Sequence, residues 1–165
     1  MPKDRGRALH SRKGIRMNAL QRVKPLKRYS YCFICGDKNP FGLNVEFYQK
    51  DGKVVGEYVA QDRFQGYKNI LHGGILSSLL DEVMIKSILA QDILTLTCEM
   101  KIRFRKPVKI GERLFLEGIS TGNKDKIFLA EGKITNEDGE VVATAEGKFF
   151  KAEGEMETLL GQSLE

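Results

Sequence analysis

Residues 71–90 read LHGGILSSLLDEVMIKSILA, and this stretch predicts one long helix from Gly74 to about Ala90. It contains no proline, and its apolar side chains recur at intervals of three and four residues, as on one face of a helix. Ile85 and Leu89 widen that apolar face, so we expect other elements to surround the helix. The apolar positions on which this prediction depends are Ile75, Leu76, Leu79, Leu80, Val83, Met84 and Ile88.

Strand patterns precede and follow the predicted helix. Residues 43–50 and 53–60 flank Asp51-Gly52, and an Asp-Gly pair in this position is typical of a tight hairpin turn. A single buried helix among antiparallel strands predicts an α+β fold in which a curved sheet wraps the helix. The later predicted elements are strands at residues 94–105, 113–121, 127–135 and 141–151 and a short amphipathic segment at residues 156–164.

Charge is distributed unevenly along the chain. The 165 residues carry a net charge of +5, but residues 1–28 hold ten Lys or Arg side chains and one Asp, which leaves −4 for residues 29–165. We therefore predict a basic, flexible tail over residues 1–28 and one domain over residues 29–165. A solvated arm explains the charge of the tail most simply, and contact with nucleic acid or another acidic surface is the alternative.

Cysteine use and hydropathy indicate the compartment. No apolar run is long enough to span a bilayer, and the N-terminus lacks the apolar core of a signal peptide. Cys32, Cys35 and Cys98 are too few for a disulfide scaffold, so we expect a cytoplasmic protein with reduced thiols. Cys32 and Cys35 form a single Cys-x-x-Cys motif without a second nearby pair, whereas structural zinc usually needs four ligands. We therefore expect buried or loop thiols there and no metal.

Residues suited to chemistry concentrate around the start of the predicted helix. His72 is the one histidine of the predicted domain, and Gly73 and Gly74 follow it. Free N–H groups and the helix dipole at such a position favour a developing oxyanion or a polarised carbonyl. Asp81 and Glu82 come two turns later, where a carboxylate is costly unless it is exposed, paired or functional. Taken singly, these residues are equally typical of a helix cap, a loop, and a hydrated stripe shared with Ser77, Ser78 and Lys86.

The combination is more specific than its parts. Residues 71–82, LHGGILSSLLDE, resemble the active-site helix of hot-dog-fold acyl-CoA thioesterases of the PaaI-like group. CFICG at residues 32–36 and NPFGL at residues 39–43 resemble the lead-in of one bacterial and mitochondrial branch of that group. FQG at residues 64–66 and PVKIGE at residues 107–112 are also similar to family segments. The resemblance covers about residues 30–151.

This resemblance implies roles for individual residues. Asp81 would be the catalytic carboxylate, acting as a general base on water or as a nucleophile on the thioester. The Gly73 N–H would polarise the thioester carbonyl, His72 would bind or orient near that carbonyl, and Thr97 would position the attacking water. Alternation along residues 94–105 places Thr97 on the polar face of its strand, away from the helix. That placement suits a site shared between two chains, as in family members, better than a site within one chain.

Other residues are candidates for binding the substrate. Many PaaI-type enzymes carry an asparagine six residues before the histidine, where this chain has Gly66, and the nearer Asn69 need not replace it. The basic residues of the long strand share one face, where they would attract the phosphates of CoA or form a solvated edge. The candidate substrate-binding residues are Gly74, Asn69, Glu82, Lys101, Arg103 and Arg105.

We therefore predict an acyl-CoA thioesterase, a hydrolase that releases a free acid and CoA without a metal or an organic cofactor. Its exposed sheet edge predicts a homodimer or a dimer of dimers. The alternative is an acyl-CoA-binding or regulatory hot-dog module without turnover, whose basic tail contacts nucleic acid. Asp81 argues against that module, because a pure binder has little reason to desolvate a carboxylate beside a thioester. A hot-dog dehydratase or hydratase is less favoured, because the histidine of the domain precedes Gly-Gly.

Overall fold

The computed structural model describes residues 23–164. Most of the predicted basic tail, with His10, therefore lies outside the described residues. Lys24–Pro25 pair with Tyr48 and Gln49, so the sheet begins before the predicted domain boundary at residue 29. In the described part of the chain, no helix is long and apolar enough to cross a membrane.

Seven antiparallel strands form one sheet around a single long helix. In chain order the elements are β1 (Lys24–Pro25), β2 (Phe47–Lys50), β3 (Lys53–Val59), a short 3-10 helix (Asp62–Phe64), α1 (Gly73–Leu89), β4 (Thr95–Phe104), β5 (Arg113–Lys124), β6 (Ile127–Asn136), β7 (Val141–Lys151) and α2 (Glu155–Gln162). The strands lie in the order β1-β2-β3-β5-β6-β7-β4. The predicted α+β class and the single buried helix are confirmed, with α1 displaced by one residue at each end.

The predicted hairpin is confirmed, but its first strand is shorter than its apolar pattern suggests. Asp51 and Gly52 have positive φ angles of 50° and 76°, as the tightest hairpin turn requires. Residues 43–46 are not in β2, because this segment bonds to the lead-in loop instead. The N–H groups of Leu43 and Val45 donate to the carbonyls of residues 33 and 34, respectively.

A β-bulge in β4 reverses the alternation expected for this strand. Thr97 lies opposite Phe149 of β7 and Glu99 opposite Lys148, so Cys98 is the extra residue. Since Phe149 is fully buried on the helix side, Thr97 also faces the helix, whereas Leu96 is exposed. The expectation that Thr97 points away from α1 is therefore wrong. Strict alternation cannot continue through a bulge. The extra residue places every residue that precedes it in the strand on the face opposite to the one that alternation predicts.

Close contact between α1 and the sheet depends on glycine in the strands that α1 crosses. A Cβ atom added at Gly118 of β5 would lie 2.2 Å from the carbonyl oxygen of Val83, which belongs to the helix backbone. At Gly132 of β6, an added Cβ would first meet side-chain carbons of Leu80 and Met84, each at 3.1 Å, and the Leu80 carbonyl oxygen lies at an ordinary contact distance of 3.5 Å. The backbone of the helix therefore packs directly on the backbone of β5, whereas flexible side chains of the helix make its closest contacts with β6.

We expect Gly118→Ala to destabilise the protein far more than Gly132→Ala. The first change forces α1 off the sheet and should lower the free energy of unfolding by about 3 kcal/mol or prevent folding, whereas the second should cost about 1 kcal/mol. Denaturant unfolding of both variants beside the wild type measures the difference. Equal stabilities would contradict the direct backbone contact.

Candidate active site

His72 caps α1 and thereby decides which N–H groups remain free at the helix start. Its Nδ1 accepts a hydrogen bond from the Gly74 N–H at 2.8 Å, and its own N–H donates to the Phe64 carbonyl at 2.9 Å. Because Nδ1 accepts, Nε2 of the neutral ring carries the proton. Within residues 23–164 the Gly73 N–H has no acceptor. The cap thus uses the N–H of Gly74 and leaves that of Gly73 available for a ligand.

An open cleft of about 610 Å³ lies against this helix start. Its lining includes Gly66, Tyr67, His72, Gly73, Phe104 and Arg105. An added Cβ at Gly66 would lie 3.1 Å from Cδ2 of His72, so the loop packs closely on the imidazole. The Tyr67 and Phe104 rings of the lining are exposed, so the cleft offers a ligand mostly apolar surface beside the free Gly73 N–H group.

Asp81 and Thr97 form a hydrogen-bonded pair within one chain. The Thr97 hydroxyl donates to Oδ1 of Asp81 at 2.7 Å, and residues 23–164 offer Oδ2 no partner. Burial of the Asp81 side chain raises its pKa above the usual value, the Thr97 hydrogen bond opposes that rise, and the neighbouring Glu82 charge adds to it. The pair therefore presents a half-buried carboxylate with one oxygen free to accept a proton.

The free N–H and the carboxylate are separated along the helix. Gly73 and Asp81 are eight residues apart, which corresponds to about 12 Å along the axis. Neither Asp81 nor Thr97 contributes to the lining of the cleft at the helix start. The structure thus unites Asp81 with Thr97 and His72 with Gly73, but keeps the two pairs apart within one chain.

The predicted substrate-binding residues are scattered. Lys101 and Arg103 line a depression on the sheet face away from α1, where Glu131 and Glu146 accompany them, whereas Arg105 lies at the cleft beside Gly73. Asn69 acts through its backbone, since its N–H donates to Gln65 Oε1 and its carbonyl accepts from Ile110.

Glu82 lies apart from both pairs. With Lys86 it is almost fully buried, at 7% and 1% exposure, so the alternative of a hydrated stripe is wrong for these two residues, whereas Ser77, Ser78 and Asp81 are partly exposed. Cys32 Sγ lies 3.7 Å from Oε2 of Glu82, and the buried Cys35 is close by. The Cys35 hydrogen bond, with backbone N–H groups and Lys86, lowers the pKa of Cys32 to about 5, and burial raises that of Glu82. No signal in the sequence predicted this contact, because fifty residues separate Cys32 from Glu82.

We expect Thr97→Val to raise the pKa of Asp81 further. The change removes the hydroxyl that stabilises the charged carboxylate and keeps the shape of the side chain. A ¹³C NMR titration of the Asp81 carboxyl carbon measures the shift. Thr144→Val is the control, because Thr144 lines the opposite face of the sheet and should leave the titration unchanged. An unaltered Asp81 titration in Thr97→Val would contradict the hydrogen-bond assignment.

Comparison with known proteins finds similar sequences and similar folds. Residues 68–143 match the sequence model of the thioesterase superfamily. A putative esterase of Archaeoglobus fulgidus is 30% identical over 104 residues, which are 62% of this chain and 66% of that relative, just under two thirds of its length. A crystal structure of a thioesterase superfamily protein is 25% identical with a TM-score of 0.70, over 73% of this chain and 60% of that one.

Two further solved structures share the fold at lower identity. A hypothetical thioesterase protein from Streptococcus pneumoniae TIGR4, crystallised with coenzyme A, is 24% identical with a TM-score of 0.62, over 66% of this chain and 89% of that one. The E. coli PaaI protein is 20% identical with a TM-score of 0.63, over 68% and 82% of the two chains. Over residues 68–143 the chain is therefore similar to the thioesterase superfamily, and it has the hot-dog fold found in PaaI-like proteins.

Proposed function

We propose that the protein hydrolyses the thioester of an acyl-CoA to the free acid and CoA. The observation that carries this proposal is the half-buried Asp81 carboxylate, which holds a hydrogen bond from Thr97 and keeps Oδ2 free. The Streptococcus pneumoniae relative supports it, because its structures include mutants in which an aspartate, or a threonine sixteen positions later, is replaced by alanine. Asp81 and Thr97 have the same spacing.

The chemistry assigns a separate task to each group. The Gly73 N–H donates to the thioester oxygen and stabilises the negative charge that develops there. Asp81 takes a proton from water as the water oxygen attacks the carbonyl carbon, and collapse of the intermediate breaks the C–S bond and releases CoA as the thiol after protonation. In the nucleophilic alternative, the Asp81 oxygen attacks the carbonyl carbon, the C–S bond breaks and CoA leaves as the thiolate, and water then hydrolyses the mixed anhydride to the free acid and the Asp81 carboxylate. Thr97 orients the carboxylate in either case.

The proposed site combines two chains. In one chain, about 12 Å along α1 separates Gly73 from Asp81, too far for direct attack by Asp81 on a carbonyl held by Gly73. Strand β4 lies at the edge of the sheet, and its Leu96 and Phe104 are exposed. If the β4 edges of two chains pair about a two-fold axis, those side chains become covered and the α1 helices of the two chains run in opposite directions. We therefore assign the site to a homodimer in which Gly73 of one chain faces Asp81 of the other.

The position of Arg105 suits the CoA end of the substrate. Of the predicted basic residues Lys101, Arg103 and Arg105, it is Arg105 that lines the cleft, and its guanidinium is therefore placed to pair with phosphate. The apolar lining around Phe104 and Tyr67 is suited to the less polar parts of the ligand.

A cytoplasmic setting belongs to the same proposal, since the three cysteines are free thiols.

Asp81→Asn should lower kcat for acyl-CoA hydrolysis by about 10²-fold or more, because an amide cannot accept the proton or attack the carbonyl. Release of free thiol from acyl-CoAs of varied chain length and ring content measures this. Asp92→Asn is the matched control, since Asp92 is exposed in the turn after α1 and its positive φ of 60° suits asparagine. Binding of acyl-CoA without turnover by the wild type would favour the non-catalytic module instead.

Gly73→Pro should remove the proposed oxyanion donor and leave the helix intact. Proline is tolerated at the first helical position, and His72, at φ −62° and ψ 133°, already has the conformation preferred before proline. We expect kcat to fall by about 10²-fold or more. Gly73→Ala keeps the N–H, and its Cβ would meet only the Phe104 ring at 3.8 Å, so it should retain most activity. A rise in KM with kcat unchanged would show that the proline ring merely obstructs the cleft.

Mixing the two inactive variants tests whether the site spans two chains. In a mixed dimer of Asp81→Asn and Gly73→Pro, one of the two sites contains both native residues. Random exchange of subunits should therefore restore about a quarter of wild-type activity. Activity that stays at the level of the separate variants, with exchange verified by mass spectrometry, would contradict a shared site.

A further inference from the structure

A group of potential metal ligands includes Glu82, the residue of α1 that follows Asp81. Among residues 23–164, the sulfur atoms of Cys32 and Cys35 and a carboxylate oxygen of Glu82 lie within 4.8 Å of one another. Cys35 and Glu82 are buried and Cys32 is partly exposed. The proposed hydrolysis uses none of these three side chains.

The loop that carries Cys32 and Cys35 is a tight turn, and one of its backbone N–H groups points at the Cys32 sulfur. The Gly36 N–H donates to the Cys32 carbonyl at 2.9 Å, and the Ile34 N–H donates to Cys32 Sγ at 3.3 Å. A Cβ at residue 36 would lie within 2.6 Å of the Cys32 backbone and the Ser30 carbonyl, so the turn requires glycine. This geometry presents both sulfur atoms on one side and gives the first a hydrogen bond that suits a thiolate.

Glu82 lacks the hydrogen bonds that a buried carboxylate normally makes. Its Oε1 has no hydrogen-bond partner, because the Lys86 ammonium with which it forms an ion pair is 3.6 Å away. The other partners of this carboxylate are two weakly hydrogen-bonding sulfur atoms, that of Cys32 at 3.7 Å from Oε2 and that of Cys35. Lys86 donates instead to the Lys27 carbonyl at 2.7 Å and lies 4.8 Å from the centre of the Tyr29 ring. A polar group left in this state is destabilising unless something else binds it.

We propose that Cys32, Cys35 and Glu82 bind a thiophilic divalent cation of the zinc type, with water in the fourth position. Tetrahedral zinc with S and O ligands holds neighbouring sulfur and oxygen atoms about 3.5 Å apart and two sulfur atoms about 3.8 Å apart. The observed 3.7 Å between Cys32 Sγ and Glu82 Oε2 is already close to the first of these values. Small side-chain movements therefore suffice to complete the site.

The charge of the surroundings also fits a bound dication. Two thiolates and one carboxylate carry three negative charges, which a divalent cation and the buried Lys86 ammonium neutralise together. Binding would fasten the lead-in loop to α1 at the residue next to Asp81. Two ligands come from one turn and the third from a helix fifty residues later, which is why a count of nearby cysteines does not find the site.

Titration of the reduced, metal-free full-length protein with Co²⁺ tests this proposal. We expect about one ion per chain, with thiolate-to-cobalt charge-transfer absorption in the near ultraviolet that Zn²⁺ then abolishes. Cys32→Ser or Cys35→Ser should weaken binding by about 10²-fold, and Glu82→Gln by about tenfold with altered visible bands. Cys98→Ser should leave binding and spectrum unchanged, because Cys98 is exposed in the bulge of β4.

Three results would overturn the proposal. The first is a folded, reduced wild type that shows no charge-transfer band, and the second is a band that persists when Cys32 and Cys35 are both replaced by serine. The third is a disulfide between Cys32 and Cys35 in protein never exposed to reductant, with no cobalt uptake after reduction, which would assign the motif to redox chemistry. Circular dichroism establishes folding in each case. None of these readouts uses hydrolysis, so the outcome is independent of the proposed function.

Discussion

Burial of α1 against the sheet is the constraint on which the rest of the structure depends. The helix contacts every strand from β2 to β7, and at Gly118 its backbone touches that of β5. A helix enclosed in this way leaves its polar side chains little access to water, so each one requires a partner. Asp81 receives the Thr97 hydroxyl, and Glu82 lies among Cys32, Cys35 and Lys86. Two adjacent carboxylates thereby acquire different surroundings and, we propose, different functions.

The N-terminus of α1 supplies the other group that the proposed reaction needs, a free N–H. His72 satisfies the N–H of Gly74 and leaves that of Gly73 free at the end of an apolar cleft, where the helix dipole also favours negative charge. One rigid element therefore carries both the proposed oxyanion donor and the proposed base. Their separation along the axis prevents direct attack within one chain, and the uncovered edge at β4 provides a means of bringing two helices together.

The bulge at Cys98 shows how a local irregularity can decide a functional site. Period-two alternation correctly assigns Met100 and Ile102 to the helix side, since both pack against the core. One extra residue reverses the assignment for Thr97, and this reversal carries its hydroxyl to Asp81. The alternation of apolar and polar residues in one strand does not show where that strand has an extra residue relative to its partner, because a bulge is a property of the pair.

The amino-acid sequence by itself determined the long helix, the hairpin at Asp51-Gly52, the later strands and the resemblance that singled out His72, Gly73, Asp81 and Thr97. These features follow from local periodicity, turn chemistry and short motifs, which act over a few residues. Only the tertiary structure decided that β4 crosses to the far edge beside β7, that Thr97 meets Asp81, and that Arg105 rather than Lys101 or Arg103 lies at the cleft. It alone joined Cys32 and Cys35 to Glu82. Contacts between residues distant in sequence depend on how the sheet is ordered and how closely the helix approaches it, and no local pattern records either.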